Sequence, residues 1–194
     1  MKNLWLIIVL VIIALVFFMG CGKYNTFVGL DEDVNQSWAN VETAYQSRSD
    51  LVPNLVATVK GAADFERGTL TDVIDARSNA TSIKLTADEL TPENMAKFQD
   101  AQSKLSGALS RLLVSVERYP ELKATAQFGE LQSQLEGIEN RIRVERNRFN
   151  EKATDFNKTI RTFPNSFVAS VTGFDRRALF ESDPGAQNAP KVEF

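Results

Sequence analysis

Val34-Asn35-Gln36-Ser37-Trp38-Ala39-Asn40-Val41-Glu42-Thr43-Ala44-Tyr45-Gln46-Ser47-Arg48-Ser49-Asp50-Leu51-Val52-Pro53-Asn54-Leu55-Val56-Ala57-Thr58-Val59 decides the fold. Its large apolar side chains fall at Val34, Trp38, Val41 and Tyr45, then at Val52, Leu55 and Val59, in steps of four and three. The step between Tyr45 and Val52 lands on Arg48. This alternation is the buried stripe of a helix laid lengthwise on others. Pro53 lies inside the run; it cannot donate to the Ser49 carbonyl, and a kink is predicted there. The stripe continues through Ala62, Leu70, Val73 and Ala80 with less regularity. One helix over that whole length would leave part of itself without partners, so a break between Gly61 and Gly68 is expected.

Working outward, Thr91-Pro92-Glu93 reads as a helix start, with Thr91 as N-cap and Pro92 at the first helical position. Its stripe is Phe98, Ala101, Leu105, Ala108 or Leu109, Leu112 and Val116, ending before Tyr119-Pro120 because a residue preceding proline avoids the helical region. A third long stripe runs Phe128, Leu131, Leu135, Ile138, Ile142, Glu145, Phe149, Phe156, Ile160 and Phe163 up to Pro164. Phe167, Val168 and Val171 suggest a short helix before Gly173. No stretch alternates apolar and polar residues as a half-buried strand would. The fold class is therefore all-α: an elongated antiparallel bundle of three to four long helices. A homo-oligomeric coiled coil built on the first stripe is the weaker alternative, since the chain supplies partner stripes of its own.

The bundle is preceded by an apolar run from Leu4 to Met19, followed by Gly20-Cys21-Gly22. As a helix, Leu4 to Gly22 spans about 28 Å, close to the hydrocarbon thickness of a bilayer. Phe18-Met19-Gly20-Cys21 also resembles a bacterial lipobox, whose cysteine receives a diacylglycerol after cleavage; Phe stands where Leu is usual. Residues 1–22 are thus expected to be a membrane anchor or a lipoprotein signal sequence, with Cys21 as candidate lipidation site. Lys2 on the cytoplasmic side places the remainder outside. Residues 23–182 form the bundle. Residues 183–194, with Pro-Gly-Ala-Gln-Asn-Ala-Pro, hold too little apolar content to pack and are expected to be disordered.

Composition narrows the function. The 194 residues include 22 Lys and Arg against 25 Asp and Glu, net −3, which offers no electrostatic case for nucleic acid. Histidine is absent, which removes the commonest general base and metal ligand and every Ser-His-Asp or Cys-His system. A single cysteine leaves no zinc-thiolate site and no intrachain disulfide.

Four groups of residues are candidates for chemistry. Asp31-Glu32-Asp33 lacks the glycine and trailing glutamate of a calcium loop and suits a helix N-terminus. Arg141, Arg143, Arg146 and Arg148 are interleaved with Glu136, Glu139 and Glu145, with Glu139 and Arg143 an i,i+4 pair, and read as a solvated face. The Ser and Lys positions do not match Ser-x-x-Lys. No catalytic, cofactor or metal constellation is found. Arg48 remains as the charged interruption of an apolar seam. A buried guanidinium needs a partner, and Glu145, the matching interruption in the last seam, is the first candidate. Glu117 is the second, and Asp50 and Asn54 are candidates to complete the cluster. The alternative is that Arg48 reaches solvent past Tyr45 and Val52.

Arg48-Ser49-Asp50-Leu51-Val52-Pro53-Asn54-Leu55-Val56-Ala57-Thr58-Val59-Lys60-Gly61 resembles the central motif of the LemA family. Further matches follow in order at Ala76-Arg77-Ser78, Glu117-Arg118-Tyr119-Pro120-Glu121-Leu122-Lys123, Glu139-Asn140-Arg141-Ile142 and Phe163-Pro164-Asn165. The likeness covers Asn25 to Glu181. Phe149-Asn150 and Phe156-Asn157 depart from it, standing where Tyr-Asn is usual. The resemblance implies a membrane-anchored, all-helical bacterial domain and implies no reaction. Sequence therefore points to a non-enzymatic scaffold or adaptor of the cell envelope, bound to membrane lipid through its N-terminus and presenting a helical face to an envelope protein partner. The rival is an envelope hydrolase using carboxylate or Lys groups. Oligomeric state is not legible.

Overall fold

A computed structural model describes residues 2–61 and 66–181, with the side chains of 2–4, 6, 12–19 and 21 left aside. Six α-helices are described: α1 (Lys2–Lys60), α2 (Arg67–Ser82), α3 (Pro92–Val116), α4 (Pro120–Lys123), α5 (Ala126–Arg161) and α6 (Asn165–Thr172). No strand occurs among the described residues. The first stripe does break between Lys60 and Arg67, dividing it between α1 and α2.

Contacts fix the helix directions. Trp38 Nε1 donates to Leu85 O and Arg77 Nε to Ser49 O, so α2 runs antiparallel to α1. Gln102 Nε2 donates to Ala80 O and Arg118 Nη2 to Glu66 Oε2, which turns α3 back along α1. Lys152 Nζ lies 2.8 Å from Asp33 Oδ2 and the rings of Trp38 and Phe149 are 5.4 Å apart, so α5 is antiparallel to α1. The long helices are an up-down-up-down bundle, with α1 packed chiefly on α5 and α2 on α3.

Helix ends follow local chemistry. Thr91 Oγ1 accepts from the Asn94 amide with Pro92 in the first turn, as its sequence dictates. Thr125 Oγ1 does the same for α5 through the Phe128 amide. Gly173 closes α6 at φ 78°, a left-handed conformation that favours glycine. Pro53 lies within α1 without ending it.

The stripe residues Val34, Trp38, Val41, Tyr45, Val52, Leu55 and Val59 are all buried. In the third stripe Ile138 is half-buried, and Phe163 leaves the stripe altogether: α5 ends at Arg161, and Phe163 is 90% exposed in the turn that follows. The core divides along the bundle axis. One cluster holds Leu51 to Val59 of α1 with Leu105 to Val116 and Phe128 to Leu135. The other holds Phe27 to Tyr45 with Met95, Phe98, Ile142 to Ile160 and Phe180.

After Gly173 the chain forms an extended strap, Phe174–Glu181, in which no helical period is present. Two Phe-Asn pairs seven residues apart on α5 hold it. Asn157 donates to Arg177 O (2.8 Å) and accepts from Arg177 N (2.9 Å). Asn150 donates to Phe180 O (2.9 Å) and accepts from Phe180 N (2.8 Å). Seven helical residues rise about 10.5 Å and three extended ones about 10 Å, so the two clamps share one spacing. Phe149 and Phe156 are fully buried beside them.

Trp5, Ile7, Ile8, Leu10 and Val11, early in α1, are exposed. Among the described residues no helix is long and apolar enough to cross a membrane. The anchor expected over 1–22 is thus not shown, because most of its apolar side chains and that of Cys21 lie outside the described residues. The tail 183–194 also lies outside them.

Candidate functional site

Between the two apolar clusters lies one polar layer, centred on Arg48. Its position follows from the helical pattern: Arg48 falls between Tyr45 and Leu51, Gln102 between Phe98 and Leu105, and Glu139 between Leu135 and Ile142. Arg48 is 1% exposed. Its Nη1 donates to Glu139 Oε1 (2.8 Å) and Ser106 Oγ (2.5 Å), and its Nη2 to Gln102 Oε1 (2.7 Å) and Gln102 O (3.2 Å). The guanidinium carbon stands 5.1 Å from the centre of the Tyr45 ring. Nε is buried and has no hydrogen-bond partner among the described residues.

Arg48 is therefore buried and paired, and does not reach solvent past Tyr45. The partner is neither Glu145 nor Glu117. Aligning Asp33 with Lys152 and Trp38 with Phe149 sets Arg48 level with positions 137 to 139. Glu145 is at least six residues further along α5, about 9 Å away along the axis. It is buried, but pairs with Arg148 at 2.9 Å, and its Oε2 has no hydrogen-bond partner among the described residues. Glu117 caps the far end of α3 and pairs with Lys123. Asp50 accepts from Gln46 and Asn54 is exposed, so neither joins the layer.

Glu139 escapes a reading of the seam because it flanks the seam instead of filling it. Its side chain is 40% exposed, and only a long partner such as arginine reaches it from inside. The expected Glu139–Arg143 pair gives way to this contact, and Arg143 donates to Asn140 Oδ1 at 2.6 Å. Arg146, read as part of a solvated basic face, instead donates to Glu181 O at 3.0 Å and covers the Phe180 ring at 4.8 Å. The usable sequence signal is Gln102, a polar residue inside the α3 stripe at the height of Arg48.

Above the layer opens a cleft of about 140 Å³ lined by Tyr45, Gln99, Ser103, Ser106, Glu139 and Arg146, with Arg48 at its base. That is smaller than the few hundred Å³ usual for small-molecule sites. The buried cation at its base is neutralised by Glu139 across the cleft. Among the described residues no group of His, Cys, Asp or Glu could hold a metal ion.

Residues 37–194 match the model of the LemA family. The chain belongs to the LemA family. The matched region takes in the whole Arg48 layer and both asparagine clamps. Similar proteins include magnetosome protein MamQ 2 of Paramagnetospirillum magneticum, 27% identical over 179 residues, covering 84% of this chain and 66% of that protein. Magnetosome protein MamQ of Magnetospirillum gryphiswaldense shows the same identity and coverage. Protein LemA of Metamycoplasma hominis is 23% identical over 181 residues, covering 93% of this chain and 79% of its own. The chain spans just under two thirds of the length of the magnetosome relatives, 66%.

Proposed function

We propose that this LemA-family chain is a non-enzymatic scaffold or adaptor of the bacterial cell envelope, held to a membrane by the apolar start of α1, with the bundle on the outer side. The observation that carries the reading is the filled seam. Two packed apolar clusters meet at a polar layer whose charges satisfy one another, an arrangement suited to holding a rigid shape. The exposed Trp5, Ile7, Ile8, Leu10 and Val11 support the membrane attachment, since α1 carries them away from any bundle partner.

The cleft over Arg48 is the most enclosed place in which the rival hydrolase could act among the described residues. There the group against Ser106 is a guanidinium, which cannot take a proton from a nucleophile, and the Glu139 carboxylate is engaged by the same Arg48 Nη1. This favours the adaptor reading. Crosslinking in native membranes, with photoreactive residues at exposed Val114 and Val144, tests it. A partner captured from one helical face and not the other is the expected result; no protein above background at either position overturns it.

The attachment takes one of two forms, a transmembrane helix or a lipid on Cys21. Intact mass of the membrane-extracted chain distinguishes them. Loss of Met1 to Gly20 with an acylated Cys21, and accumulation of the uncleaved mass in Cys21→Ser, establishes lipidation; a retained Met1 establishes the helix.

A further inference from the structure

The bundle end from which the N-terminal part of α1 departs carries a surface that the scaffold reading leaves unused. By the α1–α5 register, Arg161 at the end of α5 is level with positions 24 to 26, and the chain turns at Phe163–Pro164 just beyond. α6 then caps this end. Its inner side, Ala169 with half-buried Val168, packs into the cluster around Phe27. Its opposite side is apolar and bare: Phe167 is 70% exposed and Val171, one turn on, 73%, with Phe163 at 90% in the preceding turn.

Cations lie at the same end of the bundle, on the last turn of α5 and on the chain after α6. Lys158, Arg161 and Arg176 line one shallow cleft of about 320 Å³ together with Thr162. Arg177 is already engaged by Asp31 and Asp88, and Asp175 is the sole acidic residue between 156 and 177, in a chain whose net charge is −3. Exposed aromatic side chains and Lys and Arg at one bundle end match the headgroup layer of a bilayer, where rings sit at the acyl boundary and cations meet phosphates. The apolar residues of α1 leave the bundle at this same end.

We propose that the α6 end is a second membrane-contact surface: Phe163, Phe167 and Val171 enter the headgroup region of an anionic membrane while Lys158, Arg161 and Arg176 engage its phosphates, setting the bundle upright against the bilayer. This rests on the reading that the N-terminus is membrane-attached. A single attachment point leaves a rigid bundle free to tilt; a contact at α6 removes that freedom. Each cation near an anionic surface contributes roughly fivefold in partitioning.

The test uses the full chain in vesicles of phosphatidylcholine, alone or mixed with phosphatidylglycerol, with p-benzoylphenylalanine placed in turn at Phe167, Val171 and, at the far end of α3, Val114. Flotation of the vesicles reports attachment, and intact mass after irradiation reports lipid adducts. Lipid adducts at 167 and 171 but not at 114, several-fold more abundant with phosphatidylglycerol, are expected. The combined Lys158→Gln, Arg161→Gln, Arg176→Gln chain should float as before with the adduct at 167 reduced several-fold. A chain that floats but gives no more adduct at 167 than at 114 overturns the second contact and leaves the attachment standing. A chain that does not float overturns both.

Discussion

The Arg77 Nε donates to the main-chain carbonyl of Ser49 at 2.7 Å, and Ser49 is the residue whose carbonyl Pro53 leaves without its helical donor. A side chain of α2 thereby completes the hydrogen bonding of α1 where proline interrupts it. This accounts for a proline inside the most buried stretch of α1: its lost bond becomes a tie between two helices.

Removing Arg77 should therefore cost more in the presence of Pro53 than in its absence. Arg77→Met leaves the Ser49 carbonyl unpaired and is expected to cost about 1–3 kcal/mol. In a Pro53→Ala background the substituted residue has an amide of its own to donate to the Ser49 carbonyl, and the same change should cost well under half as much. A double-mutant cycle from urea unfolding measures the coupling. Additive effects would show that the two positions are independent.

Arg48 and Glu145 should respond in opposite ways. Arg48 is buried with four hydrogen bonds to three residues, whereas the Glu145 carboxylate holds a single exposed arginine and leaves Oε2 unpaired among the described residues. Glu139→Leu, which strands the Arg48 charge in the core, is expected to cost about 3 kcal/mol, and Glu139→Gln, which keeps an acceptor, less than half of that. Glu145→Met should be neutral or stabilising by up to about 2 kcal/mol, since it removes a poorly satisfied charge. Thermal unfolding of the three variants decides the order, and a Glu145→Met chain less stable than Glu139→Gln would refute it.

What the sequence discloses here is local and periodic. Thr91-Pro92 marks the start of α3 because capping involves only neighbouring residues, and the stripes mark the core because burial repeats with the helix. The break between α1 and α2 begins at Gly61, whereas Gly68 already lies in the first turn of α2. The partner of Arg48 is set by how far α1 and α5 slide past each other, and Trp38 against Phe149 decides that across 111 positions of chain. Glu145 has the right character in the right seam at the wrong height. The strap has no period to read, since asparagine side chains seven residues apart along α5 hold its backbone. In the sequence Asn150 and Asn157 stand out only through the phenylalanines before them, and those rings belong to the core.

Glu42 sets a pH signature. Burial holds its carboxyl above the ordinary value, with Lys84 pulling it partly back. The folded chain thus binds this proton more tightly than the unfolded chain, and stability falls as pH rises from the unfolded to the folded value. Glu42→Gln should therefore be slightly more stable than the parent at neutral pH, the gain vanishing as the pH falls below 4.5, the ordinary value. The effect is small because the side chain is half-buried. Urea midpoints from acid to neutral pH test it; a gain larger in acid than at neutrality contradicts the assignment.

The asparagine clamps should govern the strap without governing the bundle. Each clamp supplies two hydrogen bonds to one strap residue, and Asn157→Ala or Asn150→Ala should cost about 2 kcal/mol of local protection, close to thirtyfold in the exchange rate of the Arg177 or Phe180 amide. Asn157→Asp keeps the acceptor for Arg177 N and loses the donor to Arg177 O, so its effect should be intermediate. Amides of Leu105 and Leu112, in the other apolar cluster, should keep their protection, because the strap packs only against the cluster containing Trp38, Phe149 and Phe180. The double variant should loosen the strap around Phe180 against the remaining Ala178 N–Leu90 O and Arg177–Asp31 contacts, and near-ultraviolet circular dichroism should report the altered packing of Phe180 on Trp38. Hydrogen exchange of Arg177 and Phe180 unchanged by either alanine would mean that the burial of Phe180, the Ala178 N–Leu90 O bond and the Arg177–Asp31 pair hold the strap and that the matched spacing of the two asparagines carries no energy.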